Sequence, residues 1–128
     1  MKNFFSLILM SLSCVALAQD TFTRQTSVVV RDKNFHPKVY ARPLSLLTST
    51  ERIEGLYFKV VVGKGSEAVS FSDAPDLVLH AATAYYHLNV ARDFFVNRLR
   101  SAHVRDMGQI IVRIAMPNQF NDLGPFAH

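Results

Sequence analysis

The sequence predicts an α+β fold, a mostly antiparallel sheet with one long amphipathic helix packed on it, and three observations carry that expectation. β-Branched and aromatic residues gather in two early stretches, Gln25–Arg31 and Leu56–Val62. A run free of Gly and Pro then extends from Asp76 to Met107, with apolar residues at helical spacing. A third β-branched stretch, Gln109–Ala115, closes the pattern. Strands, one helix and a final strand, with no repeating β–α unit, define the class.

The chain opens on a secretory leader. Lys2 gives a positive start, Phe4–Leu12 is an apolar stretch of nine residues, and Ala16-Leu17-Ala18 supplies the small side chains a signal peptidase reads. Cleavage is expected between Ala18 and Gln19, which makes residues 1–18 the signal peptide and 19–128 a single α+β domain. The apolar stretch is well short of the roughly 20 residues a bilayer span requires. Lipid attachment at Cys14 fits less well, because Leu12 stands one place nearer to it than in the usual lipobox. Cys14 is the one cysteine, so the cleaved chain carries no thiol, which suits an oxidising exported setting.

The elements follow in order. Gln25–Arg31 reads as a strand and Asp32-Lys33-Asn34 as a turn. Lys38–Ala41 is expected as a short edge strand between Pro37 and Pro43. Leu56–Val62 is the strongest strand; Gly63-Lys64-Gly65-Ser66 then reads as a hairpin turn with both glycines at positive φ, and Ala68–Phe71 as the return. The helix is expected over residues 74–100, about 40 Å at 1.5 Å per residue. Asp73 is its expected N-cap, Pro75 fits the first turn, and Asp76, Arg98 and Arg100 complement the dipole. Leu77, Ala81, Ala84, Leu88, Ala91, Phe95 and Leu99 form one stripe, with Tyr86, Asp93, Asn97 and Arg100 opposite. After a break at Ser101–Gly108, Gln109–Ala115 is the last strand and Pro117-Asn118 its end.

Composition narrows the function classes. The 128 residues are 49% hydrophobic and 19% charged, a globular balance with room for one core beyond the leader. The formal charge of +4 is small and its cations are spread along the sequence, so a nucleic-acid partner is not expected; a protein or peptide partner is. The cleaved chain has no candidate transmembrane segment.

No side-chain pattern assembles a catalytic or metal site, and no cofactor is expected. Of the five histidines, His80 and His87 share the helix but lie seven residues, hence about 10.5 Å, apart along its axis. One zinc ion holds each imidazole at about 2 Å and suits a helical spacing of three or four. His36 and His103 fall in expected loops, and His128 is the last residue. Gly63–Ser66 has the wrong glycine spacing for a phosphate loop and precedes a strand. Asp73 and Asp76 are accounted for by the helix start, and Tyr85-Tyr86 and Phe94-Phe95 by core and rim packing.

Two segments nonetheless carry a resemblance. Arg52-Ile53-Glu54-Gly55-Leu56-Tyr57-Phe58-Lys59-Val60 is similar to the L-x-G-x-Y-x-x-V strand that precedes the catalytic core of secreted thermolysin-like and fungalysin-like zinc metallopeptidases, the gluzincins. Ala84-Tyr85-Tyr86-His87-Leu88-Asn89-Val90-Ala91-Arg92-Asp93-Phe94-Phe95 resembles the A-Y-Y-H-x-x-x-A-x-x-Y/F-F helix of those enzymes. The resemblance spans Arg52 to Asp122 and implies that Asn121 stands where the family contacts the substrate backbone, although Asp122-Leu123 departs from the usual Asn-Ala. The family's HExxH motif has no counterpart here, so its zinc ligands and general base map to no residue. What the resemblance implies is an exported, non-catalytic N-terminal lobe, a truncated or decayed copy of a peptidase. Two other readings stand beside it: a small exported binding or inhibitory module, and a subunit completed by a separate HExxH chain.

Overall fold

A computed structural model describes residues 20–115. The Ala18–Gln19 junction, Cys14, Asn121 and His128 lie outside the described residues.

The first β-branched stretch forms the middle and end of β1 (Phe22–Arg31), which pairs antiparallel with β2 (Pro37–Leu47). The strand expected at Lys38–Ala41 therefore runs on through Pro43. Proline removes a ladder donor, but only where the N–H would face the partner strand. Val29, opposite Val39, directs its own N–H and C=O to helix side chains and so sits at a non-hydrogen-bonded pair. Pro37 (opposite Arg31) and Pro43 (opposite Gln25) share that parity, so their missing N–H groups cost no rung. At the far end, a register shift between Phe22 and Arg24 coincides with Leu46 at φ 60°.

The second stretch forms β3 (Phe58–Val62). Of the two turn glycines only Gly63 takes a positive φ, 52°, which corrects the expectation for Gly65. The return segment makes single bridges rather than a ladder. Val69 donates to Val60 O at 2.8 Å and accepts from Ile53 N at 2.7 Å, which wedges it between the two.

Helix α1 (Pro75–Asp93) continues through a five-residue π-helical turn, Phe94–Arg98, close to the expected span. Asp73 is not its cap: Ala74 holds that place, and the Asp73 carboxylate accepts from Ser70 N at 2.9 Å, closing the turn before the helix. Arg100, at φ 55°, turns the chain out of the helix. Ser101 then caps the short α2 (Ala102–Arg105) by accepting from Val104 N at 3.2 Å. The last strand, β4 (Ile110–Ile114), pairs parallel with β3, from Phe58 beside Ile110 to Val62 beside Ile114. It is parallel because α1 carries the chain back to the starting end of β3, as a crossover requires. By length the pairing is mostly antiparallel, with ten- and eleven-residue strands in one pair and five-residue strands in the other. The α+β class stands.

The core lies where α1 meets both strand pairs. Val28, Leu44 and Leu47 come from the hairpin, Ile53, Phe58, Val60 and Val69 from the β3 region, and Ala81, Ala82 and Tyr85 from the helix. The expected stripe describes only one of two packing faces. Leu77, Ala81 and Leu88 pack on the core from the β3 side. Ala82, Tyr85 and Tyr86, further round the helix, also join the core; of these the expectation sets only Tyr86 opposite the stripe, and it instead lines the recess against β2. The stripe's distal members are exposed: Ala91, Phe95 and Leu99 overhang the strands.

Candidate functional site

The two segments that carry the peptidase resemblance touch each other. Gly55 lies against Tyr85 so closely that a Cβ there would collide with the tyrosine hydroxyl and stand 2.5 Å from Leu46 O. The Tyr85 hydroxyl donates to Ser45 O at 2.7 Å from a fully buried ring. Burial pushes this phenol above its ordinary pKa, so it remains a donor at neutral pH. Beside it, the Arg92 guanidinium lies 3.4 Å from the centre of the Tyr57 ring and also donates to Arg105 O at 3.2 Å. That joins the first segment to the helix and to α2. Gln109 completes the clasp, donating to Gly55 O at 2.8 Å.

On the helix flank facing the hairpin, Thr83 and His87 stand one turn apart beside the free edge of β1. The Thr83 hydroxyl accepts from Val29 N at 2.9 Å, while it donates to Leu79 O at 2.7 Å. His87 Nε2 lies 2.8 Å from Val29 O, so it carries the proton and donates. Two side chains at i and i+4 thus satisfy one edge residue as a neighbouring strand would. His87 is thereby a structural residue. His36, His80 and His103 are exposed, and among the described residues no group of three or more His, Cys, Asp or Glu side chains lies close enough to hold a metal ion.

One recess lies at the apolar end of the molecule. Tyr57, Phe58, Leu88, Phe95, Met107 and Ile110 line an open pocket of about 190 Å³ between β3, α1 and the α2–β4 connection. Its exposed apolar walls are Phe95, Met107 and Ile110, while Val90 lines a separate recess. Of the twelve large apolar or aromatic side chains exposed among the described residues, seven lie between Val90 and Ile111: Val90, Phe94, Phe95, Leu99, Met107, Ile110 and Ile111. A second recess, of about 300 Å³, lies between β2 and α1, lined by Leu44, Leu46, Tyr86 and Asn89. The Nδ2 of Asn89 is buried there without a hydrogen-bond partner.

The sequence places Phe95 and Leu99 in the core stripe, Phe94 with Phe95 in core and rim packing, and Ile110 and Ile111 in the last strand, and nothing in its periodicity sets these residues at an open surface. Asp73 and Asp76 do not form an acid pair: Asp73 closes its own turn and Asp76 lies in the first turn of α1. Comparison with protein-family models, with curated proteins and with solved structures finds no match to this chain in any of the three.

Proposed function

We propose that this chain is an exported, non-catalytic lobe with the plan of the N-terminal part of a gluzincin-type metallopeptidase, and that its role is contact rather than chemistry. The observation that carries the reading is the apolar recess whose exposed walls include Phe95, Met107 and Ile110, with the Tyr57–Arg92 pair in its lining. Apolar side chains gathered at one end of a small unit mark a surface that other protein covers. In a peptidase-like assembly, the covering part would be the half that bears HExxH, on this chain or another, and this lobe would supply a wall of the cleft. Peptide hydrolysis in that family needs a metal-polarised carbonyl and a carboxylate to take the proton from water. Among the described residues no group of three or more His, Cys, Asp or Glu side chains is placed to hold such a metal.

The test is to recover the product from the exported fraction and measure its intact mass, its zinc content after dialysis, and its hydrolysis of casein. A start at Gln19, no stoichiometric zinc and no hydrolysis above background are expected. Stoichiometric zinc together with chelator-sensitive hydrolysis by the isolated product would overturn the non-catalytic reading. A second reading, a small inhibitory module, rests on the same apolar surface. It predicts that adding the purified product to an HExxH peptidase lowers that enzyme's activity.

A further inference from the structure

The opposite end of the molecule, the β1–β2 turn, carries an inference independent of the peptidase-like reading. Residues 31–42 hold four cations, Arg31, Lys33, Lys38 and Arg42, against one carboxylate, Asp32, so +3 of the chain's formal +4 sits on this short stretch. Those cations line one open concavity of about 480 Å³, with Tyr40 among them. Lys38 is partly offset by Asp32 at 3.4 Å, while Arg31, Lys33 and Arg42 make no ion pair among the described residues.

At the apex stands Phe35, 76% exposed, more than any other large apolar side chain described. Its φ of 64° lies in the left-handed region, which glycine occupies freely and an aromatic residue does not. The turn is fixed around it. Asp32 Oδ1 accepts from Asn34 N at 2.8 Å and His36 N at 2.9 Å, and Arg31 donates to Phe35 O at 2.8 Å. An aromatic ring is therefore displayed to solvent, at a position where glycine would be less strained, on a rigid turn collared by cations.

We propose that this hairpin tip docks on an anionic membrane surface, with Phe35 entering the boundary between headgroups and acyl chains and Arg31 and Lys33 meeting lipid phosphates. The surface that fits is anionic outside and apolar just beneath, which matches a single ring set beyond a cationic collar. A nucleic acid would call for several stacking aromatics along a basic track, and the tip presents one exposed phenylalanine. The contact is peripheral: no helix among the described residues is long and apolar enough to cross a membrane.

The test is co-sedimentation of the chain, purified as the cell processes it, with phosphatidylcholine vesicles made with and without phosphatidylglycerol. Binding is expected only with phosphatidylglycerol, and salt should weaken it. Phe35→Gly, which relieves the strained φ and so keeps the fold, should lower the partition coefficient about tenfold. Lys33→Glu should lower it by at least about fivefold, since each cation near an anionic leaflet contributes roughly that factor. Free inorganic phosphate at equal ionic strength should not compete. Binding to neither vesicle, or equally to both, would overturn the proposal. So would competition by free phosphate, or an F35G variant that binds like the parent while heparin displaces both, which would make the tip a general polyanion site.

Discussion

The middle of helix α1 and its C-terminal end differ in how completely the chain satisfies them. In the middle, residues from three parts of the sequence close on the helix: Gly55 and Ser45 around Tyr85, and Val29 against Thr83 and His87. At the C-terminal end, from Val90 onward, the helix loosens into a π-helical turn and its apolar residues face solvent. Apolar residues at helical spacing run through both. What separates them is whether the strands pack directly on the helix or leave an open recess beside it, which teaches that a helical stripe marks a capacity to pack and not a packed face.

Substitutions in the satisfied middle should destabilise the fold, and those at the open end should not. The largest effect is expected for Gly55→Ala, whose methyl group would meet the Tyr85 hydroxyl and the Leu46 carbonyl, one of them immovable backbone. A loss of about 3 kcal/mol in chemical denaturation is expected, at the upper end of overpacking costs. Adding Tyr85→Phe should recover part of it, because the hydroxyl is half of the collision. A fully additive double mutant would show that the two residues do not meet as described.

Tyr85→Phe alone leaves Ser45 O without its donor, and Thr83→Val leaves Val29 N without its acceptor. Each should cost about 1–3 kcal/mol by urea unfolding, the range for an unpaired buried polar group. Leu88→Ala should cost only about 1–2 kcal/mol, below the 2–5 kcal/mol of a fully buried leucine, because Leu88 is half-buried. Thermal melts of Phe94→Ala, Leu99→Ala and Asp93→Ala should show changes within about 0.5 kcal/mol, as expected of exposed positions. If Phe94 or Leu99 proved as costly as Tyr85, the open end would already be covered and the comparison would fail.

The smallest effect concerns acid. Asp32 is held below its ordinary value of 3.8, first by the backbone N–H of His36, which outweighs the opposing effect of burial, and then by the N–H of Asn34 and by Lys38. A carboxyl group with a depressed folded-state pKa stabilises fully above its unfolded value and loses that contribution as pH falls through the folded one. The β1–β2 turn should therefore stay intact above pH 3.8 and loosen only below it. An NMR titration of Asp32 with a midpoint at or above 3.8 would contradict that.

Much of this architecture was legible in the sequence. The strands at Gln25–Arg31, Leu56–Val62 and Gln109–Ala115 and the helix over residues 74–100 each rest on local causes: β-branching, the positions of Gly and Pro, and helical periodicity. Those causes act within a few residues, so the sequence determined where the elements lie. The site was scarcely legible. Asp73 looks like a helix cap by spacing, yet its carboxylate goes to Ser70, because either backbone N–H lies within its reach and only the turn geometry selects one. The cations between Arg31 and Arg42 look scattered along the sequence until the hairpin folds them around one concavity.

What only the tertiary structure decided is long-range. Propensity assigns Ile110–Ile114 to a strand but does not choose a parallel place beside β3; the crossover through α1 does. Periodicity puts Tyr85 beside the apolar stripe, yet its burial depends on Gly55, thirty residues earlier, having no side chain. Val29 gives no sign in its own neighbourhood that Thr83 and His87 will serve as its neighbouring strand. The reason is the same in each case. Backbone preference is set by a residue and its near neighbours, whereas burial and hydrogen-bond satisfaction are set by whatever distant segment the folded chain brings alongside.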